Sequence, residues 1–412
     1  FLRVGSLDIT PGALISSAEL AIHAGLPCHS VPGLPVLECA EFGRTVAAYD
    51  AAGSAHSMDG KTYAAHLGTI WHMNQPETLP VQLDPDSLAL HTFVTGSTGA
   101  GKSNTVYQLL SECAKLGVHF LVVEPAKGEY KNVFGTQAGV SVYSTNSELS
   151  PLLRINPFRF PHGTADAARN IHILEHLDRL VELFNVCWPM YAAMPAVLKA
   201  AVEKSYEDCG WNLAESTNAY GSDLYPTFAD VARNVRAIID SSDYDAENKG
   251  AYKGSLITRL TSLTNGINGQ VFTADEIAGA DLFDKNAIVD LSRVGSSETK
   301  SLIMGLLVLK LQEHRLASTV MNAPLRHITV LEEAHNLLKR TGTEQSAESA
   351  NLLGKSVEML TNAIAEMRTY GEGFVIVDQS PSSVDISAIK NTNTKIVLSL
   401  PEKEDRESAG KS

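Results

Sequence analysis

Long apolar runs are missing from this sequence. Spanning a bilayer takes roughly 18–20 consecutive apolar residues. The longest candidate, Leu302 to Leu309, is stopped by Lys310 and reads as a buried helix. No membrane-spanning helix is expected. Cysteine is sparse: Cys28, Cys39, Cys113, Cys187 and Cys209 are odd in number, scattered, and without a C-x-x-C pair. That pattern argues against a disulfide framework and a zinc ribbon, and predicts a reducing, cytoplasmic setting. Cations are outnumbered, 33 Lys and Arg against 47 Asp and Glu, for a net charge of −14. A protein that coats itself in nucleic acid is usually basic, so any such contact must be confined to a positive strip. Simple solubility accounts for the charge equally well. Internal repeats and low-complexity tracts are absent. The sequence starts at Phe1 without a methionine and ends Ala409-Gly-Lys-Ser412. Both ends are expected to belong to a longer polypeptide, so the lack of a targeting signal excludes nothing.

What is present is a phosphate-binding loop. Gly96-Ser97-Thr98-Gly99-Ala100-Gly101-Lys102-Ser103 follows a short β-branched and apolar run, His91 to Thr95, and opens a helical pattern from Ser103 to Lys115. Strand, glycine loop and helix are the context such a loop requires. Glycines let the backbone wrap close to phosphate oxygens, and the helix adds its positive end. Lys102 is expected on the β- and γ-phosphates and the Ser103 hydroxyl on Mg²⁺. The nucleotide-contacting set is Gly96 to Ser103 with Asn104, and the expected ligands are ATP and Mg²⁺.

With 412 residues, the chain is long enough for two or three domains. Residues 1–85 hold short alternating segments, Leu34–Glu38, Thr45–Tyr49, Tyr63–Trp71 and Leu79–Leu83, that predict a small β-rich N-terminal module. Residues 86–163 and 268–412 alternate strands with helices. Their strands include His119–Glu124, Val140–Tyr143, Ala287–Ser292, Ile328–Leu331, Gly373–Asp378 and Lys395–Leu400. Helices are predicted from Glu298 to Leu311 and from Val357 to Tyr370. This alternation predicts an α/β core with a mostly parallel, doubly covered sheet. In 164–267, Ile171, Leu174, Leu177, Val181 and Phe184 recur at helical spacing around its start, predicting an α-helical insertion.

The P-loop alone predicts binding, not hydrolysis. Ile328 to His335 is an apolar strand delivering two acids at its C-terminal end, where open α/β sheets place ligands. Glu332 is expected to hold Mg²⁺, and Glu333 to orient and deprotonate the attacking water. Gln379 follows the strand ending at Asp378 and is placed to report the γ-phosphate. Arg368, at a helix end before Gly371, suits an extra cation on the developing charge, supplied by a neighbouring subunit, or a plain helix-dipole partner. Glu124 ends the strand after the P-loop helix and is expected near the nucleotide, with Glu129 beside it. Lys127 and Lys131, or Lys339 and Arg340, are candidates for contact with DNA, and exposed surface cations are an equal reading. His172-Ile-Leu-Glu-His176 matches an inverted zinc-peptidase pattern, but no third ligand is evident, and a helix at the surface or core edge is the preferred reading.

These motifs together resemble the HerA/FtsK superfamily of ring-forming ATPases, the HerA branch in particular. The resemblance runs over residues 79–407: Leu88-Ala-Leu-His91 leading into Thr95–Ser103, Lys127-Gly-Glu-Tyr130, Leu153-Arg-Ile-Asn-Pro157, Glu332-Glu-Ala-His335, Arg368 before Tyr370-Gly371, and Asp378-Gln-Ser-Pro381. It implies a RecA-like P-loop NTPase fold, a barrel-like N-terminal module, and a homohexamer threading DNA through its central channel. It also implies Arg368 as a trans-acting arginine finger and Glu333 as catalytic base. A separate nuclease or effector subunit, in DNA processing or antiviral defence, is the implied partner. The alternatives are a secretion- or conjugation-type ATPase and a nucleotide-gated ring scaffold. The sequence departs from the family at Glu332 (commonly Asp), Ser380 (frequently Arg) and Thr369 (frequently basic).

Overall fold

The computed structural model describes residues 64–72, 75–163, 170–188, 190–221, 224–318, 320–340 and 347–411, with short fragments at 2–4, 7–9, 16–17, 32, 57–58 and 61–62. The strands expected at 34–38 and 45–49 lie outside the described residues. The chain separates into two compact units, Phe1–Thr45 and Val46–Ser412. In the first, Leu2–Val4 pairs antiparallel with Leu7–Ile9. The second carries everything below.

An antiparallel hairpin, Ala65–His72 with Gln75–Leu83, precedes the core and breaks register twice. It covers the two expected strands at 63–71 and 79–83. The core is a seven-stranded sheet built from β1 (Thr92–Thr95), β2 (His119–Glu124), β3 (Val140–Ser144), β4 (Asn286–Asp290), β5 (His327–Leu331), β6 (Glu372–Asp378) and β7 (Thr394–Val397). Every neighbouring pair is parallel, in the order β7-β1-β6-β5-β2-β4-β3. The central strands β5 and β6 are buried throughout, which is why they read as continuous apolar runs rather than alternating ones.

Side chains alternate across the sheet. Val94, Val122, Ile288 and Val375 face Val106, Leu109, Leu110 and Cys113 of α1 (Lys102–Lys115). Phe93, Leu121, Ala287 and Phe374 face the opposite way, into a larger cluster. That cluster also takes the apolar faces of α3 (Ile173–Cys187), α4 (Met194–Asp208), α5 (Phe228–Ser241) and α6 (Ser297–Ala317); α2 is the short helix Tyr130–Phe134. The helical stretch therefore packs as a layer continuous with the sheet's core. Leu302 to Leu309 are all buried in α6, as the interrupted apolar run predicts. Close packing there requires Gly305, where a Cβ would lie 2.3 Å from Leu183 Cδ1. The second unit also holds α7 (Ala347–Glu366) and α8 (Lys403–Lys411), together with short helices at Ala246–Tyr252, Thr258–Thr264, Gly266–Val271, Gly279–Phe283 and Ile386–Lys390.

The histidines of the zinc-like pattern have structural work instead. His172 Nδ1 accepts from the Leu174 amide at the start of α3 (3.2 Å), and His176 is fully buried against Glu313 Oε1 at 2.8 Å.

Candidate active site

Register brings the predicted residues together. Asp378 pairs with Thr95, Leu331 lies between Ile376 and Val123, and Asp290 pairs with Glu124. The residues after these positions emerge side by side at the C-terminal edge of the sheet. Lys102, Ser103, Glu124, Ala126, Lys127, Glu332, Glu333 and Gln379 line one cleft there.

The loop has two reasons for its glycines. Gly99 (φ +79) and Gly101 (φ +105) adopt left-handed backbone, which side chains disfavour. Gly96 needs space, since a Cβ would lie 2.7 Å from Leu398 Cβ. The Ser97 amide donates to Ser399 O at 2.8 Å, tying the loop to the segment after β7. Lys102 Nζ donates to the carbonyls of Gly96 and Ser97, folding over the loop. Burial lowers its pKa, opposed by Glu333 and Glu332.

Glu333 sits in left-handed backbone (φ 48, ψ 52), a conformation costing about 1–3 kcal/mol for a non-glycine residue and concentrated at functional sites. Its Oε1 accepts from Gln379 Nε2 at 2.5 Å, while Gln379 Oε1 accepts from the Thr98 hydroxyl at 2.7 Å. A continuous chain of hydrogen bonds thus runs from the P-loop to the second acid. Glu332 is 9% exposed, and burial pushes its carboxyl up to about 7. The Tyr130 hydroxyl donates to Glu332 Oε1, opposing that rise, while Glu124 and Glu333 add to it.

Glu124 lines the cleft, but its oxygens already accept from the amides of Glu129 (2.7 Å) and Tyr130 (3.1 Å). It fixes the loop entering α2. The Glu129 side chain is not brought into the cleft; it is half exposed, 3.9 Å from Lys127 Nζ. Lys131 is engaged with buried Asp290 at 2.6 Å, so it is not a free cation for DNA. Asn104 is exposed at the start of α1. Arg368 is not brought to this cleft. It lies exposed on the 3₁₀ turn Met367–Tyr370 that precedes β6, whereas Gln379 follows β6.

Four residues without a role assigned from sequence belong to the site. Tyr130 stands within the quoted Lys-Gly-Glu-Tyr segment, and Tyr107, at 4.9 Å edge-to-face from it, neighbours the Ser103 hydroxyl. His335 Nδ1 and its backbone amide both donate to Asp378 Oδ2, each at 2.8 Å, and the Asp378 partner raises the histidine's pKa. The Ser380 amide donates to the other Asp378 oxygen at 3.0 Å. The apolar strand ending in Asp378 was the available signal; a buried acid there needs donors.

Nucleotide and magnesium fit this donor set. Gly99 and Gly101 leave open space where side chains would stand. The hydroxyl of Ser103 and the carboxylate of Glu332 are the hard oxygen donors that Mg²⁺ selects.

The comparisons with known proteins bear on the fold that carries this site. Residues 65–311 match the family model described as "Helicase HerA, central domain". The chain is 20% identical over 332 residues to the DNA double-strand break repair helicase HerA of Sulfurisphaera tokodaii, covering 79% of this chain and 58% of that protein. It is 22% identical over 362 residues to the protein of the same name from Saccharolobus solfataricus, covering 86% and 61%. It thus spans about three-fifths of the length of these curated relatives. Among solved structures, VirB4 of Thermoanaerobacter pseudethanolicus shares the fold with a TM-score of 0.55 at 18% identity, covering 78% of this chain and 81% of that one. With the family model matching more than half of its residues and the P-loop, acids and parallel sheet assembled as described, the chain belongs to the HerA helicase family, of HerA/FtsK-type P-loop ATPases.

Proposed function

We propose that this chain is the motor portion of a HerA-type ATPase. It acts as a cytoplasmic homohexamer that hydrolyses ATP and moves DNA through its central channel. A separate nuclease or effector subunit works with it, in DNA processing or antiviral defence. The 1–85 module, the 86–163 and 268–412 core, and the 164–267 helical stretch are its working divisions. One observation above all supports hydrolysis rather than binding alone: the chain Thr98–Gln379–Glu333 joins the phosphate loop to an acid in the cleft that Lys102 lines.

The loop amides and Lys102 bind phosphate oxygens, exchanging the Gly96 and Ser97 carbonyls for the ligand. Ser103 and Glu332 hold Mg²⁺, which when bound neutralises charge on the β- and γ-phosphates. Glu333 orients the attacking water and takes its proton on the carboxylate. Gln379 holds that carboxylate through its amide and senses the γ-phosphate through the same loop that carries Thr98. Arg368 serves the neighbouring subunit's site. DNA as cargo is supported by the names of the HerA relatives.

ATP turnover by wild type, Lys102→Ala and Glu333→Gln proteins, with and without DNA, tests this reading. Wild-type hydrolysis, its loss in both assembled variants, and stimulation by DNA are expected. Normal turnover in Lys102→Ala rings overturns the site. Turnover indifferent to any DNA points to the secretion- or conjugation-type alternative. Effector activity that needs the ring but survives Glu333→Gln points to a scaffold.

A further inference from the structure

The net charge of −14 requires a nucleic-acid strand to meet this protein at a confined patch of positive charge. One such patch stands beside the active-site cleft. A cavity of about 270 Å³ is lined by His335, Lys339, Arg340, Ser382 and Ser383, with no carboxylate among the lining residues. Lys339 and Arg340 are exposed, and neither side chain is in an ion pair among the described residues. Of the other cations near the site, Lys102 is engaged with loop carbonyls, Lys131 with Asp290, and Lys127 stands 3.9 Å from Glu129.

The patch is held by backbone, not by chance side-chain placement. Lys339 bridges antiparallel to Val384, the Arg340 amide donates to Ser383 O at 2.9 Å, and the Asp385 amide donates to Leu338 O at 2.8 Å. Leu337, Leu338 and Val384 anchor both segments in the core. Behind the loop, Asp405 Oδ1 accepts from the Ser380 hydroxyl (2.7 Å) and from the Ser382 amide (3.2 Å) and hydroxyl (2.8 Å). Both cations are therefore presented beside the Ser383 hydroxyl on a loop that Asp405 braces through the Ser382 hydroxyl. Cations and hydroxyls on fixed backbone are the groups that contact phosphodiester oxygens without reading bases.

We propose that this cavity is a sequence-independent docking site for the phosphate backbone of a nucleic-acid strand, held by Lys339 and Arg340 with the Ser382–Ser383 loop. The site touches the hydrolytic machinery at both walls. His335 is bonded to Asp378, which also accepts from the Ser380 amide, and Gln379 between them holds Glu333. A strand seated in the cavity bears on the segment that positions the proposed base. The inference rests on the reading of this chain as a DNA-handling ATPase.

The experiment uses the full chain and a labelled oligonucleotide, single- or double-stranded, in fluorescence anisotropy over a salt series, with ATP turnover measured in parallel. Lys339→Ala/Arg340→Ala is expected to weaken binding at least tenfold. Losing two phosphate contacts lowers the slope of log affinity against log salt by about 1.4–1.8. DNA-free turnover stays at the wild-type rate, stimulation by DNA is lost, and Lys339→Arg/Arg340→Lys keeps wild-type affinity. Unchanged affinity and slope in the alanine variant overturn the site while leaving the DNA-motor reading intact. A wild-type protein that binds no DNA at low salt overturns both. A fall in DNA-free turnover assigns the cations to a nucleotide phosphate of the neighbouring subunit and overturns the nucleic-acid assignment.

Discussion

Lowering the pH from 7.5 to 4 charges the unfolded chain at His91 while the folded chain resists. His91 is 2% exposed just before the P-loop strand, and its Nδ1 accepts from the Phe374 amide at 3.1 Å. An acceptor at Nδ1 places the proton on Nε2. Protonating Nδ1 would cost that bond inside the sheet. Burial accordingly lowers the pKa from 6.5 to about 4, with Glu372 opposing the shift and Arg368 adding to it. The folded value lies below the unfolded one, so the stabilising contribution is fully present above pH 6.5 and is lost as pH falls toward 4. At about 1.36 kcal/mol per pH unit the total loss is about 3 kcal/mol. His91→Asn keeps an acceptor near the Nδ1 position without a titrating ring, and the backbone there (φ 65, ψ 152) disfavours a side chain in both proteins alike. Urea denaturation of both proteins at pH 7.5, 6, 5 and 4 cancels the many carboxylates they share. The difference between them should move by about 3 kcal/mol in favour of the variant as pH falls, and exchange of the amides in 372–378 should accelerate in wild type alone. Parallel stability curves would refute the buried neutral histidine.

Other outcomes follow from single contacts in the site. Tyr130→Phe removes the hydroxyl that donates to Glu332; leaving a buried carboxylate short of a donor costs about 1–3 kcal/mol, and the Mg²⁺ concentration for half-maximal turnover should rise severalfold or more. Gly96→Val puts branched carbon where a Cβ alone would lie 2.7 Å from Leu398 Cβ, so affinity for a labelled ATP analogue should fall more than tenfold, and wild-type affinity would show that the loop yields freely. Asp405→Ala frees the Ser380 and Ser382 hydroxyls, and should lower kcat severalfold at unchanged KM, since no phosphate contact is lost.

The interior strands of the sheet were legible because they are buried on both faces: runs such as Phe374–Val377 have no competing helical pattern. Strand ends were less so. The last strand stops at Val397, although Leu398–Leu400 continue the apolar pattern, because Ser399 O turns to the P-loop amide of Ser97. A helix start at Glu298 and an end at Leu311 understate α6, whose amphipathic last turns carry His314 and Arg315 into the ion pairs with Asp284. Charged residues buried by long-range pairing have no local signature. The active site divides the same way. Residues in the P-loop and acid box are specified by spacing along the chain. Tyr130, Asp378 and His335 enter through strand register, which joins positions more than forty residues apart.

Arg368 is the residue through which the proposed ring is tested most directly. It precedes β6 and Gln379 follows it, and the strand between spans Glu372–Asp378. At roughly 3.3 Å per residue, about 20 Å of extended backbone separates the two ends, farther than an arginine side chain reaches. Arg368 can act on nucleotide only from a neighbouring subunit, and mixing two inactive variants exposes that. Arg368→Ala subunits retain Glu333, and Glu333→Gln subunits retain Arg368. An interface works when the first supplies the site and the second supplies the cation, which random assembly at equal ratio yields at about a quarter of interfaces. Turnover of the mixture should therefore reach about a quarter of the wild-type rate if interfaces fire independently, and exceed the sum of the two variants measured alone. A mixture no more active than that sum, at any ratio and with subunit exchange verified, removes Arg368 from catalysis and leaves it a helix-end cation.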